Sequence, residues 1–223
     1  MPAYLFQDRA DAANQLIAAL PPDIDSTWLV LGLPRGGMPI AAAIARHFGA
    51  TLDLLIVRKV GAPGNPELAL AAVTGPGEDQ MIINKTVQRL CNLSDADISR
   101  LAVRPVQEVE ARRRMWVRSR NAPELRGRDV LIVDDGAATG TTLEAAVDAA
   151  RHQGVQSIVV ALPVALPGAL DNLNAANVRI VCLQQAMDLA SVGSTYRDFP
   201  QITDQQVSDL LSTYQPEKPY EKG

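Results

Sequence analysis

Two adjacent acids, Asp134 and Asp135, stand directly after the apolar run Val130-Leu-Ile-Val133. Ionised carboxylates accept charge-assisted hydrogen bonds, and such a pair suits the vicinal hydroxyls of a pentose. Gly136, Ala137, Ala138, Thr139, Gly140, Thr141 and Thr142 follow and lead into a helical pattern. Backbone N–H groups at a helix start can wrap a phosphate, because the helix dipole favours an anion there. Gly136 and Gly140 allow positive φ and close approach to a ligand, and the threonines add hydroxyl donors. Hydroxyl acceptors beside an anion cradle make the chemistry of a sugar-phosphate site. Neither the lysine of a nucleotide P-loop nor the three-glycine spacing of a dinucleotide fingerprint is present.

A second loop, Pro34-Arg35-Gly36-Gly37, lies between a predicted strand and a predicted helix. Its glycines permit the backbone to cup a diphosphate, and Arg35 can neutralise one. Arg58 and Lys59 fall at the end of the next predicted strand, on the same edge of the sheet. There they are either two solvated charges or fixed cations for negative charge that develops on a leaving group.

These residues need a scaffold, and the apolar pattern supplies one. Residues 9–20 read as an amphipathic helix ended by Pro21-Pro22, and 28–33 as a buried strand. Pro39 suits the first turn of a helix that ends near Gly49, and 52–57 reads as a second strand. Residues 61–67 are loop chemistry, 68–73 and 81–84 short strands, and 85–120 two helices, with Ser94 and Asp97 as a capping box. After the acid loop a helix runs to Gly154. Two further strands (157–162 and 178–183) follow, joined by a helical stretch at 167–174, before a last amphipathic helix over 203–211. Residues 214–223 read as a frayed tail.

The run VLIVDDGAATGTT resembles the signature of the type I phosphoribosyltransferases: four apolar residues, two acids and a Gly/Thr-rich loop. The wider chain resembles bacterial members of undefined acceptor. Its landmarks are Phe6-Gln-Asp-Arg9, LPRGG at 33–37, VRKVGAPGNPEL at 57–68, and Tyr196-Arg-Asp-Phe199. The resemblance implies an α/β fold, an open, mainly parallel sheet flanked by helices. It implies one domain over 1–223, with a core of about 24–184 and a small hood built from the N- and C-terminal segments. It also implies transfer of the 5-phosphoribosyl group of 5-phosphoribosyl-1-pyrophosphate (PRPP) to a nitrogen acceptor. Asp134 and Asp135 would be the catalytic pair, residues 136–142 the 5-phosphate loop, and Pro34 to Gly37, with Arg58 and Lys59, the pyrophosphate site. In that family the pyrophosphate loop often carries a strained or cis peptide. Mg²⁺ would arrive with PRPP and could be shared with Asp134 and Asp135. Residues 61–67 would be a flap over the site.

Glu67, Tyr196 and Phe199 are the acceptor-hood candidates. The two aromatics either stack on a planar base or form a satellite hydrophobic cluster. Ala138 departs from family members that act on 6-oxopurines, which carry an Asp there to handle a proton. The acceptor therefore stays open. A regulator that binds PRPP or a nucleotide without turnover is the alternative.

Nine arginines lie between Arg100 and Arg128. They read as a solvated helical face or as a subunit contact, and they lack the interleaved aromatics of a nucleic-acid surface. A net charge of −4 gives no general attraction to nucleic acid or acidic membranes. At 223 residues and 47% hydrophobic content, the sequence suits one α/β domain. No apolar stretch reaches the roughly 18 residues of a membrane span. Two cysteines and an N-terminus without a signal-like layout point to the cytoplasm. The expected partners are PRPP and a small acceptor, with a homodimer open.

Overall fold

In the computed structural model of the chain, residues 4–74, 81–117, 123–176, 178–185 and 191–214 are described, the Glu67 side chain excepted. Helix α1 (Arg9–Ala19) leads to strand β1 (Leu29–Gly32), helix α2 (Met38–Phe48) and strand β2 (Thr51–Leu54). Strands β3 (Arg58–Ala62), β4 (Asn65–Val73) and β5 (Met81–Ile83) precede helices α3 (Lys85–Leu90) and α4 (Asp95–Trp116). The second half runs β6 (Asp129–Val133), α5 (Thr141–His152), β7 (Ser157–Ala165), α6 (Asp171–Ala175), β8 (Arg179–Gln185) and α7 (Asp204–Thr213).

Five strands form a parallel sheet in the order β2-β1-β6-β7-β8. From β1 the chain steps through α2 to β2; from β6 it steps the opposite way, through α5 and α6, to β7 and β8. The direction reverses between β1 and β6. In open sheets of this kind, ligands bind in the crevice beyond the carboxyl ends of the strands at that reversal.

Both sheet faces are covered, which is why the strands read as unbroken apolar runs. Val30, Leu131 and Val133 point to a core shared with α1, α2, α4 and α7. Leu29, Leu31, Val130 and Ile132 alternate to the other side, against α5 and α6. Truncating such a residue to alanine costs about 2–5 kcal/mol. The capping box at the start of α4 is present: Ser94 and Asp97 exchange hydrogen bonds, and Trp116 at its far end donates to Asp204 of α7 at 3.1 Å.

Two expectations change. Pairing with β1 ends near Leu54, although Leu55 and Ile56 stay buried. A continuous apolar run reports burial, and burial continues here without a neighbouring strand. Arg58 and Lys59 therefore open β3 in a separate antiparallel sheet, β3-β4-β5, instead of closing a strand of the parallel one. The stretch 61–67 is mainly a hairpin, with Pro63-Gly64 as its tip. Pro63 cannot take the positive φ that primed hairpin turns require, and Gly64 takes it one place later (φ +76°). The register shifts around Gly61 absorb the mismatch in twist. Residues 75–80, Arg118, Arg120 and the tail from 215 lie outside the described residues.

Candidate functional site

The loops that follow β1 and β6 touch at the point of reversal. The Leu33 N–H donates to the Val133 carbonyl at 2.8 Å, and the Pro34–Arg35 peptide is cis. A Cβ on Gly36 would overlap the Asp135 carboxylate, and one on Gly37 would overlap the Val133 carbonyl and Asp134 Cα. Neither glycine has positive φ. Their smallness serves the close contact of one loop with the other. The N–H groups of Arg35 and Gly36 have no acceptor among the described residues, so the outer side of this loop can still meet an anion.

Asp134 and Asp135 differ in their surroundings. Asp134 Oδ1 accepts the Asp135 N–H at 2.8 Å. Burial, with the neighbouring Asp135 charge second, pushes Asp134 well above the usual carboxylate range. Burial raises Asp135 as well, but Arg9 opposes it. Arg9 donates to Asp135 Oδ2 from Nε at 3.0 Å and from Nη2 at 2.8 Å. The two side chains are 9% and 14% exposed, so the pair is largely desolvated. Removing one partner of a buried pair typically costs about 3–5 kcal/mol, since the other charge is stranded. One oxygen of each acid is thus committed to a donor within the protein, and the other has no donor among the described residues.

The N-terminal segment pairs with the irregular stretch after residue 191. Thr195 accepts from Leu5 and Phe6, and the Arg197 and Asp198 N–H groups donate to Phe6 and Gln7. Tyr196 lies at the centre of this cluster, 2% exposed, and its hydroxyl donates to the Asp135 carbonyl at 2.7 Å. Burial holds that phenol protonated. Phe199 stacks on Tyr196 with centroids 4.7 Å apart, and the Arg9 guanidinium lies 3.8 Å from the Phe199 centroid. Two groups that close to one ring centre cannot share a face, so both faces of Phe199 are covered. Of the two readings open for these aromatics, this packing favours the satellite cluster, which buttresses Asp135. The side chain of Glu67 lies outside the described residues; its backbone is in β4.

The expected phosphate loop is more open. Ala137 is already used, since its N–H donates to Val164 at 2.9 Å and its carbonyl accepts from Leu166 at 2.8 Å. The N–H groups of Ala138, Thr139, Thr141 and Thr142 have no acceptor among the described residues. Thr139 and Thr141 place their hydroxyls 3.2 Å apart on the surface. Gly140 caps α5 at φ +74°, with its Cα against the Ala169 carbonyl, so a side chain there is excluded twice.

A cleft of about 520 Å³ joins these parts, lined by Arg9, Arg35, Gly36, Asp135, Gly136, Ala138, Val192, Phe199, Gln201 and Ile202. Among the described residues the ion partner of Arg35 is a loose one, Asp204 at 3.7 Å, and Arg35 lines the cleft. Arg58 and Lys59 do not line it, which corrects their placement beside the pyrophosphate loop. Arg58 faces Glu108 at 3.8 Å, and burial, then Arg112, lowers its pKa. Lys59 lines a different cleft, between the small sheet and α5, although that cleft reaches the Thr141 end of the phosphate loop.

The arginine run divides. Arg100, Arg104 and Arg114 pair along α4 with Asp97, Glu108 and Glu110, as a solvated face does. Arg113 turns inward toward buried Asp53 of β2 at 3.6 Å.

Sequence reasoning gave Arg9 no role. A signal was present: Arg9, Ala12, Ala13 and Leu16 form the buried stripe of α1. A cation on such a stripe needs a buried anion. Asp8 fixes its position by capping α1 through the Ala10 and Asp11 N–H groups.

An open, parallel α/β sheet whose loops meet at its reversal places the chain among the open-sheet proteins that bind ligands at that point. More narrowly, the chain belongs to the phosphoribosyl transferase domain family, whose pattern it matches over residues 5–197. It is 38% identical over 208 residues to a Mycobacterium tuberculosis protein named provisionally as a phosphoribosyl transferase. That match covers 93% of this chain but 46% of the longer relative. The crystal structure of TT1426 from Thermus thermophilus is 40% identical, with a TM-score of 0.84 over 92% of this chain and 97% of that one. Among the described residues no helix is long and apolar enough to cross a membrane.

Proposed function

We propose that the chain transfers the 5-phosphoribosyl group of PRPP to a small nitrogen acceptor and releases pyrophosphate. The observation that carries this reading is the meeting of the two loops at the sheet reversal, with Asp135 between them and unspent N–H groups on both sides. The loop from Ala138 to Thr142 takes the 5-phosphate. The 34–37 loop and Arg35 take the pyrophosphoryl end, and the free oxygens of Asp134 and Asp135 take the pentose hydroxyls.

As the C1–O bond breaks, its electron pair leaves with pyrophosphate and the sugar gains cationic character. Burial and Asp135 hold Asp134 well above the usual carboxylate range; the cationic sugar opposes both and favours the ionised carboxylate, which then stabilises that charge. Asp135, half neutralised by Arg9, mainly orients the ring. The acceptor nitrogen then bonds to C1 from the opposite face, where Val192, Gln201 and Ile202 line the cleft. Hard oxygens on Asp134 and Asp135 suit Mg²⁺, which binds through one or two carboxylates plus phosphate oxygens. Held there, Mg²⁺ would offset the charge of the leaving group.

Pyrophosphate release from PRPP and Mg²⁺ against a panel of nitrogen heterocycles and amines tests the proposal. Acceptor-dependent release is expected. Saturable PRPP binding with no release across the panel would instead favour a binding protein.

A further inference from the structure

We infer that Arg9 is a positioning residue: it orients Asp135 toward one pentose hydroxyl and locks that acid to the wall where the acceptor enters. The inference rests on the PRPP-site reading above and adds to it a residue from the other end of the chain. Arg9 spends its fork on three hydrogen bonds to two acceptor atoms. Nε and Nη2 hold Asp135 Oδ2, while Nη1 donates to the Pro200 carbonyl at 2.8 Å. Its flat face lies on Phe199.

These contacts leave Asp135 little freedom. Its N–H is held by Asp134, its carbonyl by Tyr196, and one carboxylate oxygen by Arg9. Gly36 supplies the gap that the carboxylate fills. Only one oxygen can turn to a ligand, and its direction is set by where the guanidinium sits. The guanidinium is in turn set by the Pro200 carbonyl and the Phe199 ring, and Phe199 lines the same cleft. A lysine keeps the charge but cannot make two bonds to one oxygen and a third to a carbonyl in one plane. Arg9 therefore does geometric work that charge alone cannot replace.

The test measures binding of ribose 5-phosphate and of its 2-deoxy and 3-deoxy analogues to the wild-type chain and to Arg9→Lys, with inorganic phosphate as a control. Wild type should prefer ribose 5-phosphate over at least one deoxy analogue by about tenfold, the weight of one buried hydrogen bond to a charged group. Arg9→Lys should keep a melting temperature within a few degrees and the same phosphate affinity, yet lose most of that preference. A purely structural arginine would weaken all ligands alike.

A folded Arg9→Lys chain that retains the full preference overturns the inference. No preference in the wild type overturns the PRPP-site reading itself, and this inference with it. If the lysine variant does not fold, Phe199→Leu removes the ring beneath the guanidinium. It should reduce the preference by about threefold, and an undiminished preference there overturns the inference equally.

Discussion

The two halves of the cleft are built in opposite ways. The loop from Ala138 to Thr142 is exposed apart from Gly140, formed by consecutive residues, and holds N–H groups with no acceptor among the described residues. The acid edge is buried and held by residues from far along the chain: Arg9 lies 126 positions from Asp135, and Tyr196 lies 61 positions away. On the function proposed above, one half would suit an anion by what it leaves unsatisfied. The other would suit hydroxyls by what it has already satisfied. A loop of the first kind can adapt to its ligand, whereas an acid of the second kind is preset.

The largest effect should come from the acid edge. Replacing both Asp134 and Asp135 with Asn should reduce pyrophosphate release by at least about 10²–10³-fold, the scale of losing preorganised charge in a closed site. Circular dichroism should report an unchanged fold. If turnover survives, the acids do not have the roles given to them.

On the open half, Gly140→Val places a β-branched residue at φ +74° and against Ala169. The backbone conformation alone costs about 1–2 kcal/mol, and the collision with Ala169 adds to that. Denaturant melts should register the loss, and affinity for inorganic phosphate should fall with it. Undiminished phosphate binding would move the cradle elsewhere.

Stability should respond to pH through Asp134, whose folded pKa is raised by burial and by Asp135. The unfolded chain gives up this proton from about pH 3.9 upward, before the folded chain does. Stability from this group therefore falls as pH rises from there to the folded pKa, and stays lower above it. Asp134→Asn removes the penalty. Its melting temperature relative to wild type should be more favourable at pH 8 than at pH 4, even though activity is lost. A difference that shrinks with rising pH would mean the carboxyl is better solvated than its surroundings imply.

The smallest effect should come from outside both halves. Ser94→Ala removes the cap of α4 at a cost of about 1 kcal/mol, with turnover unchanged. In the same box, hydrogen bonds from Ser94 lower Asp97 to about 2. Its stabilising contribution is thus present above the ordinary carboxylate pKa and fades as pH falls through about 2.

Legibility followed the same division. The parallel core was readable because both faces of β1 and β6 are buried, and the proposed phosphate loop stands out in the sequence because its residues are contiguous. The hairpin at 58–73 was not, since Gly-Ala-Pro-Gly-Asn-Pro reads as loop whether or not strands flank its tip. The pairing of Arg9 with Asp135 was hidden for another reason: no local pattern records which distant acid a buried cation will meet. Tyr196 and Phe199 were found as aromatics near the site. Of the two readings open for them, the packing favours the cluster, because apolar rings from a short irregular stretch gain by burying each other.

Calorimetric titration of PRPP with Mg²⁺ into the wild-type chain and into the Asp134→Asn, Asp135→Asn double variant tests the joint grip of acid edge and anion cradle most directly. Saturable wild-type binding that weakens by tenfold or more in the variant, while inorganic phosphate still binds both equally, is the expected result. Equal PRPP affinity for both proteins would contradict it.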